Sequence, residues 1–167
     1  MKKVKIVTSI DLVTPKYDYI FDCMMDLVES VYDLEHRILF KNEIKDSDDM
    51  IISYIEEDGL VVGLGCITES PMSFGVYELL WGMVDKRYRG KGYGKMLIDE
   101  RLDFILKTKQ GKHTPTDVLV ITASPWHLSR CGFDIIREMN SGENEVLMHK
   151  KLMQGQVIER QSYQIIK

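Results

Sequence analysis

Val76-Tyr77-Glu78-Leu79-Leu80-Trp81-Gly82-Met83-Val84 and, shortly after it, Arg89-Gly90-Lys91-Gly92-Tyr93-Gly94-Lys95 set the plan of this chain. The first segment is a nearly continuous apolar run, the pattern of a buried central strand. The second alternates glycine with basic and aromatic residues. It opens residues 92–108, where Ile98, Leu102, Ile105 and Leu106 recur on one helical face. Strand, glycine turn and long helix in succession place backbone N–H groups at a helix start, where the positive end of the helix dipole can hold a phosphate. Glycines allow close backbone approach and conformations closed to other residues. Five basic residues and no acidic one lie between Lys86 and Lys95, within a chain of net charge -4. The plainer alternative is a glycine-rich helix cap carrying a solvated charge run.

Outward from this turn, the periodicity predicts a strand over residues 3–9, an amphipathic helix over 17–30 and a second short helix over 33–40. A polar loop is expected over 42–49 and a strand over 50–56. Asp58-Gly59 is a hairpin signal answered by a strand over 60–68. Ser70-Pro71 and Gly75 mark the connection into the apolar run. On the other side follow a loop over 110–116, a buried strand over 118–121, and a short helix over 125–131 stopped by Gly132. A last hairpin joins 133–137 to 145–150 across Asn140-Ser141-Gly142. Residues after Met153 are mostly polar and are not assigned. The order is that of a mixed α/β single domain, with 1–152 as the domain and 153–167 as a C-terminal extension.

Length and composition narrow the classes. The 167 residues, 44% hydrophobic and 29% charged, suit one well-packed globular domain. The acidic balance argues against nucleic-acid binding, which needs a basic surface. Cys23, Cys66 and Cys131 form no CxxC pair and have no His at zinc-ligand spacing. They are read as reduced thiols of a cytoplasmic protein, Cys66 and Cys131 as buried small hydrophobes. His36, His113 and His149 are scattered, and no metal is expected. The basic start Met1-Lys2-Lys3 precedes too short an apolar stretch for a signal peptide, and no run is long enough to cross a bilayer.

Two phosphate loops fail on spacing. A Walker loop ending at Gly94-Lys95 requires Gly at Arg89 and Ser or Thr at Met96. The dinucleotide pattern from Gly90 requires Gly at Lys95. The pattern [Gln/Arg]-x-x-Gly-x-[Gly/Ala] is met by Arg89, Gly92 and Gly94. Here the chain resembles the GNAT superfamily of acetyl-CoA-dependent N-acetyltransferases, most strongly over residues 76–106 and again at Gly132-Phe133. The resemblance implies a mixed, mostly antiparallel central sheet flanked by helices, with a splayed central strand pair. It implies acetyl-CoA as co-substrate, with the amides of Arg89, Gly90, Lys91, Gly92, Tyr93, Gly94 and Lys95 around its pyrophosphate. Met83 and Val84 would pair with the pantetheine arm, and the strand ending near Thr122 and Ala123 would part from them.

Amide formation by direct attack needs a group to accept the amine's proton and a donor, such as the Val84 N–H, for the developing oxyanion. Glu78 is a carboxylate inside an apolar strand, costly there unless solvated or partnered. It stands eleven residues before Arg89, where histone-type members of the family place a general base. It reads equally as an exposed strand start that meets a cation. The family's usual acid, a Tyr four residues before the Gly of Gly-Phe, is Leu128 here, a departure that opens the acid role to His127, Ser129, Cys131, a Tyr from elsewhere or water. Trp81 and Trp126 read as cleft-lining or core aromatics.

Residues 17–49 hold ten acidic and three basic residues. In the family this region covers the acceptor, so an acidic lid implies a cationic amine; the same charges also describe a solvated helix face. The expected partners are thus an amine, with a homodimer admitted, and no nucleic acid or membrane. The rival functions are a non-catalytic coenzyme A-binding sensor or interaction module, and a phosphate- or nucleotide-binding regulatory domain.

Overall fold

The computed structural model describes residues 3–71, 73–108, 114–140 and 143–153. In chain order its elements are β1 (Val4–Thr8), α1 (Ser9–Leu12), α2 (Asp18–Val31), α3 (Leu34–Asp46), β2 (Ile51–Glu57), β3 (Leu60–Glu69), β4 (Val76–Val84), α4 (Tyr93–Thr108), β5 (Asp117–Thr122), α5 (Pro125–Ser129), β6 (Asp134–Glu138) and β7 (Val146–Lys151). Short 3-10 turns add Pro15–Tyr17 and Lys86–Tyr88. Seven strands form one open sheet in the order β1-β2-β3-β4-β5-β7-β6. β4 and β5 are parallel, whereas β1–β2, β5–β7 and β6–β7 are antiparallel. The expected mixed sheet flanked by helices is therefore the fold. Of the expected turn at Asn140-Ser141-Gly142, residues 141–142 lie outside the described residues, as do 110–113 of the predicted loop and 154–167 of the extension.

Packing divides the chain into two compact units, one of residues 3–66 with Trp81–Leu97, the other of Ile67–Leu80 with residues 98–153. In the first, α2 turns Phe21, Met24, Met25, Leu27 and Val28 inward, the i, i+3, i+4, i+7 stripe that helical spacing predicts. The Asp58-Gly59 hairpin has φ of 53° and 79° at its two central residues, the left-handed pair that matches strand twist. α3 departs from expectation: it runs to Asp46, through residues predicted as a polar loop. Its start is capped by the Asp33 carboxylate, which accepts from the His36 N–H at 2.9 Å. Phe40 and Ile44, four residues apart, are its buried contacts, while Lys41, Asn42 and Lys45 are exposed. α1 was not expected; Thr8 caps it by accepting from the Asp11 N–H.

In the second unit, Ile98, Leu102, Ile105, Val118, Phe133 and Met148 are buried. Gly75 has φ of 78°, and a Cβ there would meet the Thr114 carbonyl oxygen at 2.6 Å, so this connection requires glycine. Gly132, at φ 80°, ends α5 as expected, with the Phe133 N–H returning to the Leu128 carbonyl at 3.2 Å. Cys66 is buried; Cys131, expected to be, is only half-buried, and Cys23 is buried instead.

β4 is less enclosed than a continuous apolar run implies. Tyr77, Leu79 and Met83 are buried, and Gly82 is exposed. The ladder with β5 runs from Val76–Asp117 to Leu79–Val120 and stops there. Just beyond its end Trp81 takes φ of 53°, an outlying conformation for a bulky residue.

Candidate functional site

The glycine turn lies where the sequence puts it, between β4 and α4. Gly90 and Gly92 have φ of 78° and 79°, which side-chain-bearing residues rarely adopt. A Cβ built on Gly90 or Gly94 would have no atom within 4 Å. The backbone there faces open space: at Gly90 only the left-handed φ disfavours a side chain, and at Gly94 no neighbouring atom does. The first helical bond of α4 is Met96 N–H to Gly92 carbonyl, 3.0 Å. An α-helix has no acceptor of its own for the N–H groups before that bond. Left-handed glycines, helix-start donors and uncovered backbone together fit a bound phosphate. This is the group that a coenzyme A pyrophosphate would present.

The approach to the turn is fixed by short contacts. Asp85, buried at the end of β4, accepts from the Arg87 N–H at 2.8 Å and from the Arg87 guanidinium at 2.7 and 3.1 Å. The Arg87 hydrogen bond, before all else, holds the Asp85 carboxyl below the usual carboxylate range. The Asp85 N–H donates to the Val62 carbonyl at 2.9 Å. Arg89 Nε donates to the Val84 carbonyl at 3.2 Å, so the turn's first residue is tied to the strand end. Met83 is buried, and its carbonyl would lie 3.4 Å from a Cβ on Gly63. Tyr93, the first residue of α4, packs with Ile55, Val62 and Leu97, flanked by Val84 and Tyr88. Of the predicted cofactor-binding residues, Val84, Arg89 and Tyr93 are thus joined by direct contacts.

Sequence reasoning missed two partners here. Glu57, the last residue of β2, accepts from the Tyr93 hydroxyl at 2.6 Å; nothing in the sequence sets it apart from Glu56. Trp81 donates from its indole to Glu43 at 2.6 Å and meets Phe40 edge-on at 5.2 Å. The Trp81-Gly82 pair inside a strand is a bulge signal that could have been used.

In the second unit, Glu78 is half-buried on β4, opposite Leu119 of β5. Among the described residues it has no hydrogen-bond or ion-pair partner, so the cation of the alternative reading is not beside it there. His127 is half-buried on α5, edge-on to Trp126 at 5.4 Å. Burial first, with the Arg101 charge adding, lowers its pKa against an opposing Ser124 backbone hydrogen bond, so the ring is mostly neutral at pH 7. Leu128 is buried in the core. Among the described residues no group of three or more potential metal ligands occurs, and no helix is long and apolar enough to cross a membrane.

The sequence model of the acetyltransferase (GNAT) family matches residues 17–133. The chain belongs to this family. No curated protein matches it. Solved structures share the fold at low identity. GCN5 from Tetrahymena superposes with a TM-score of 0.73 at 14% identity, covering 94% of this chain and 99% of that one. An acyl-CoA N-acyltransferase from Pseudomonas aeruginosa gives 0.70 at 15%, covering 90% and 99%. The PaiA N-acetyltransferase from Thermoplasma acidophilum, solved in complex with coenzyme A, gives 0.63 at 15%, covering 90% and 99%. Acyl-CoA-dependent acyl transfer is accordingly the chemistry of this GNAT protein's family, and the glycine turn falls inside the matched segment.

Proposed function

We propose that this protein transfers an acetyl group from acetyl-CoA to a primary amine of a small molecule or peptide by direct attack. The uncovered turn at residues 89–95, with left-handed Gly90 and Gly92 at the start of a 16-residue helix, carries the proposal. Acetyl-CoA supplies the acyl group as an activated thioester, and coenzyme A leaves as the thiol. The amides of residues 89–95 hold its pyrophosphate, and Met83 and Val84 pair with its pantetheine arm. The Val84 N–H donates to the carbonyl oxygen as charge builds there. A Glu78 carboxylate oxygen, half-buried and with no partner among the described residues, takes the proton of the attacking amine, directly or through one water. His127 stands as the weaker candidate to protonate the departing thiolate, because its burial leaves little protonated ring at neutral pH. The remainder of the chain to residue 152 is the scaffold of this single acyltransferase domain.

A second reading is favoured by Leu128, a buried side chain without a proton where the family has its acid: a coenzyme A-binding sensor without turnover. Two measurements separate the two. Acetyl-CoA should raise the melting temperature, since a ligand of the native state alone stabilises it, and a panel of amines should release free thiol. A thermal shift with no thiol release from any amine supports the sensor; neither signal removes both readings.

A further inference from the structure

A carboxylate beneath a turn that receives a polyanion is an electrostatic liability, yet Glu57 sits there. Its side chain is 16% exposed, and its two oxygens face different groups. Oε2 accepts from the Tyr93 hydroxyl at 2.6 Å. Oε1 lies 3.9 Å from Lys91 Nζ, which in turn stands 4.6 Å over the Tyr88 ring. Tyr93 and Lys91 are both members of the glycine turn, one its first helical residue and the other the cation between its two left-handed glycines. Glu57 ends β2 immediately before the Asp58-Gly59 hairpin.

We propose that Glu57 is a positioning residue for the phosphate turn: it anchors Tyr93 at the start of α4 and restrains Lys91, and so sets coenzyme A affinity through the geometry of the turn. This rests on the reading of residues 89–95 as the pyrophosphate site. The physical argument has two parts. Residues 89–92 have two glycines in left-handed conformations and little side-chain packing of their own, so their amides converge only if both ends are held. The Val84–Arg89 bond holds one end, and the buried Tyr93 ring with its short bond to Glu57 holds the other. Burial raises the Tyr93 pKa to about 12, so the hydroxyl keeps its proton and donates across the usable pH range. The second part concerns charge. The 3.9 Å pair with Lys91 is long and half-exposed, so it offsets the Glu57 charge while leaving the ammonium free to turn toward an incoming phosphate.

The test is calorimetric binding of coenzyme A, and of pantetheine, which lacks the diphosphate, to the wild type and to Tyr93→Phe, Glu57→Ala and Glu57→Gln. Tyr93→Phe and Glu57→Ala should weaken coenzyme A about tenfold and leave pantetheine unchanged. Glu57→Gln keeps an acceptor for Tyr93 and releases Lys91, so it should bind coenzyme A within about threefold of the wild type and with steeper salt dependence. Coenzyme A affinity unchanged in Tyr93→Phe and Glu57→Ala, even with lowered melting temperatures, would make the contact purely structural and overturn the proposal. An equal loss for pantetheine would overturn it too, by showing that the effect is not on the turn. If Tyr93→Phe does not fold, the Glu57 pair decides: a tenfold loss in Glu57→Gln would mean that charge, not anchoring, is what matters. Wild-type protein that binds no coenzyme A would instead remove the pyrophosphate-site reading itself.

Discussion

Glu78 and Gly94 carry the sharpest consequences at the scale of single residues. Glu78→Gln keeps shape and loses basicity, so turnover should fall about 10²-fold or more, the range for removing a general base. Coenzyme A affinity should stay near that of the wild type. The deficit should narrow as pH rises, because more of the amine then arrives already deprotonated. Wild-type turnover at neutral pH would take Glu78 out of the mechanism. Gly94 tests the cradle in a different way. It is helical, and a Cβ there would meet no atom within 4 Å, so Gly94→Ala should stabilise the free protein by about 0.5–1 kcal/mol through the unfolded chain's lost freedom. Alanine is within the family pattern at this position, but a β-branched side chain would fill the space proposed for the pyrophosphate, so in Gly94→Val the thermal shift from acetyl-CoA should be lost. An undiminished shift would count against the cradle.

At the scale of elements, the connection from β4 to α4 depends on Asp85, which caps the 3-10 turn Lys86–Tyr88 and clasps Arg87. Because Arg87 holds its pKa below the ordinary 3.8, the folded state binds this proton less readily than the unfolded chain. The stabilisation is therefore fully present above the unfolded value and is lost as pH falls through the lower, folded value. Chemical denaturation between pH 6 and about 2.5 should show a shallower acid decline in Asp85→Asn than in the wild type; identical slopes would dismiss the pair as a stabilising contact. Elements were also where the sequence was read best and worst. β4 was legible to the residue because an apolar run between Gly75 and a basic turn has clear ends. α3 was misjudged because Asn42, Glu43 and Lys45 read as loop while only Phe40 and Ile44 are buried; two buried residues make too thin a stripe to see without the partner they pack against. The φ of 53° at Trp81 had a local signal in the Trp81-Gly82 pair, whereas the register of β4 on β5 belongs to neither strand alone, so no window of sequence contains it.

For the molecule as a whole, charge is the property with functional reach. Of the acidic residues in 17–49, Asp26 and Glu29 share Arg37 at 2.5 and 2.8 Å, Asp33 caps α3, and Glu43 accepts from Trp81. Others, among them Asp18, Asp22, Glu35, Asp46, Asp48 and Asp49, are exposed. If residues 17–49 cover the acceptor as proposed, that surplus favours a cation, so in the amine panel polyamines or amino-terminal peptides should outpace neutral acceptors, with rates falling as salt rises. A neutral or acidic acceptor used best would defeat this. The sequence by itself determined the order of the strands and of every helix but α1, the glycine turn and the family pattern of Arg89, Gly92 and Gly94, because periodicity and turn chemistry are local and each is written within a few consecutive residues. Only the tertiary structure decided that Tyr93 is anchored by Glu57, that Trp81 is tied to Glu43, that Glu78 has no cation beside it among the described residues, and that β7 lies between β5 and β6. Those facts join residues far apart in the chain, and which of many similar carboxylates, rings and strands meet is set by how the whole chain packs.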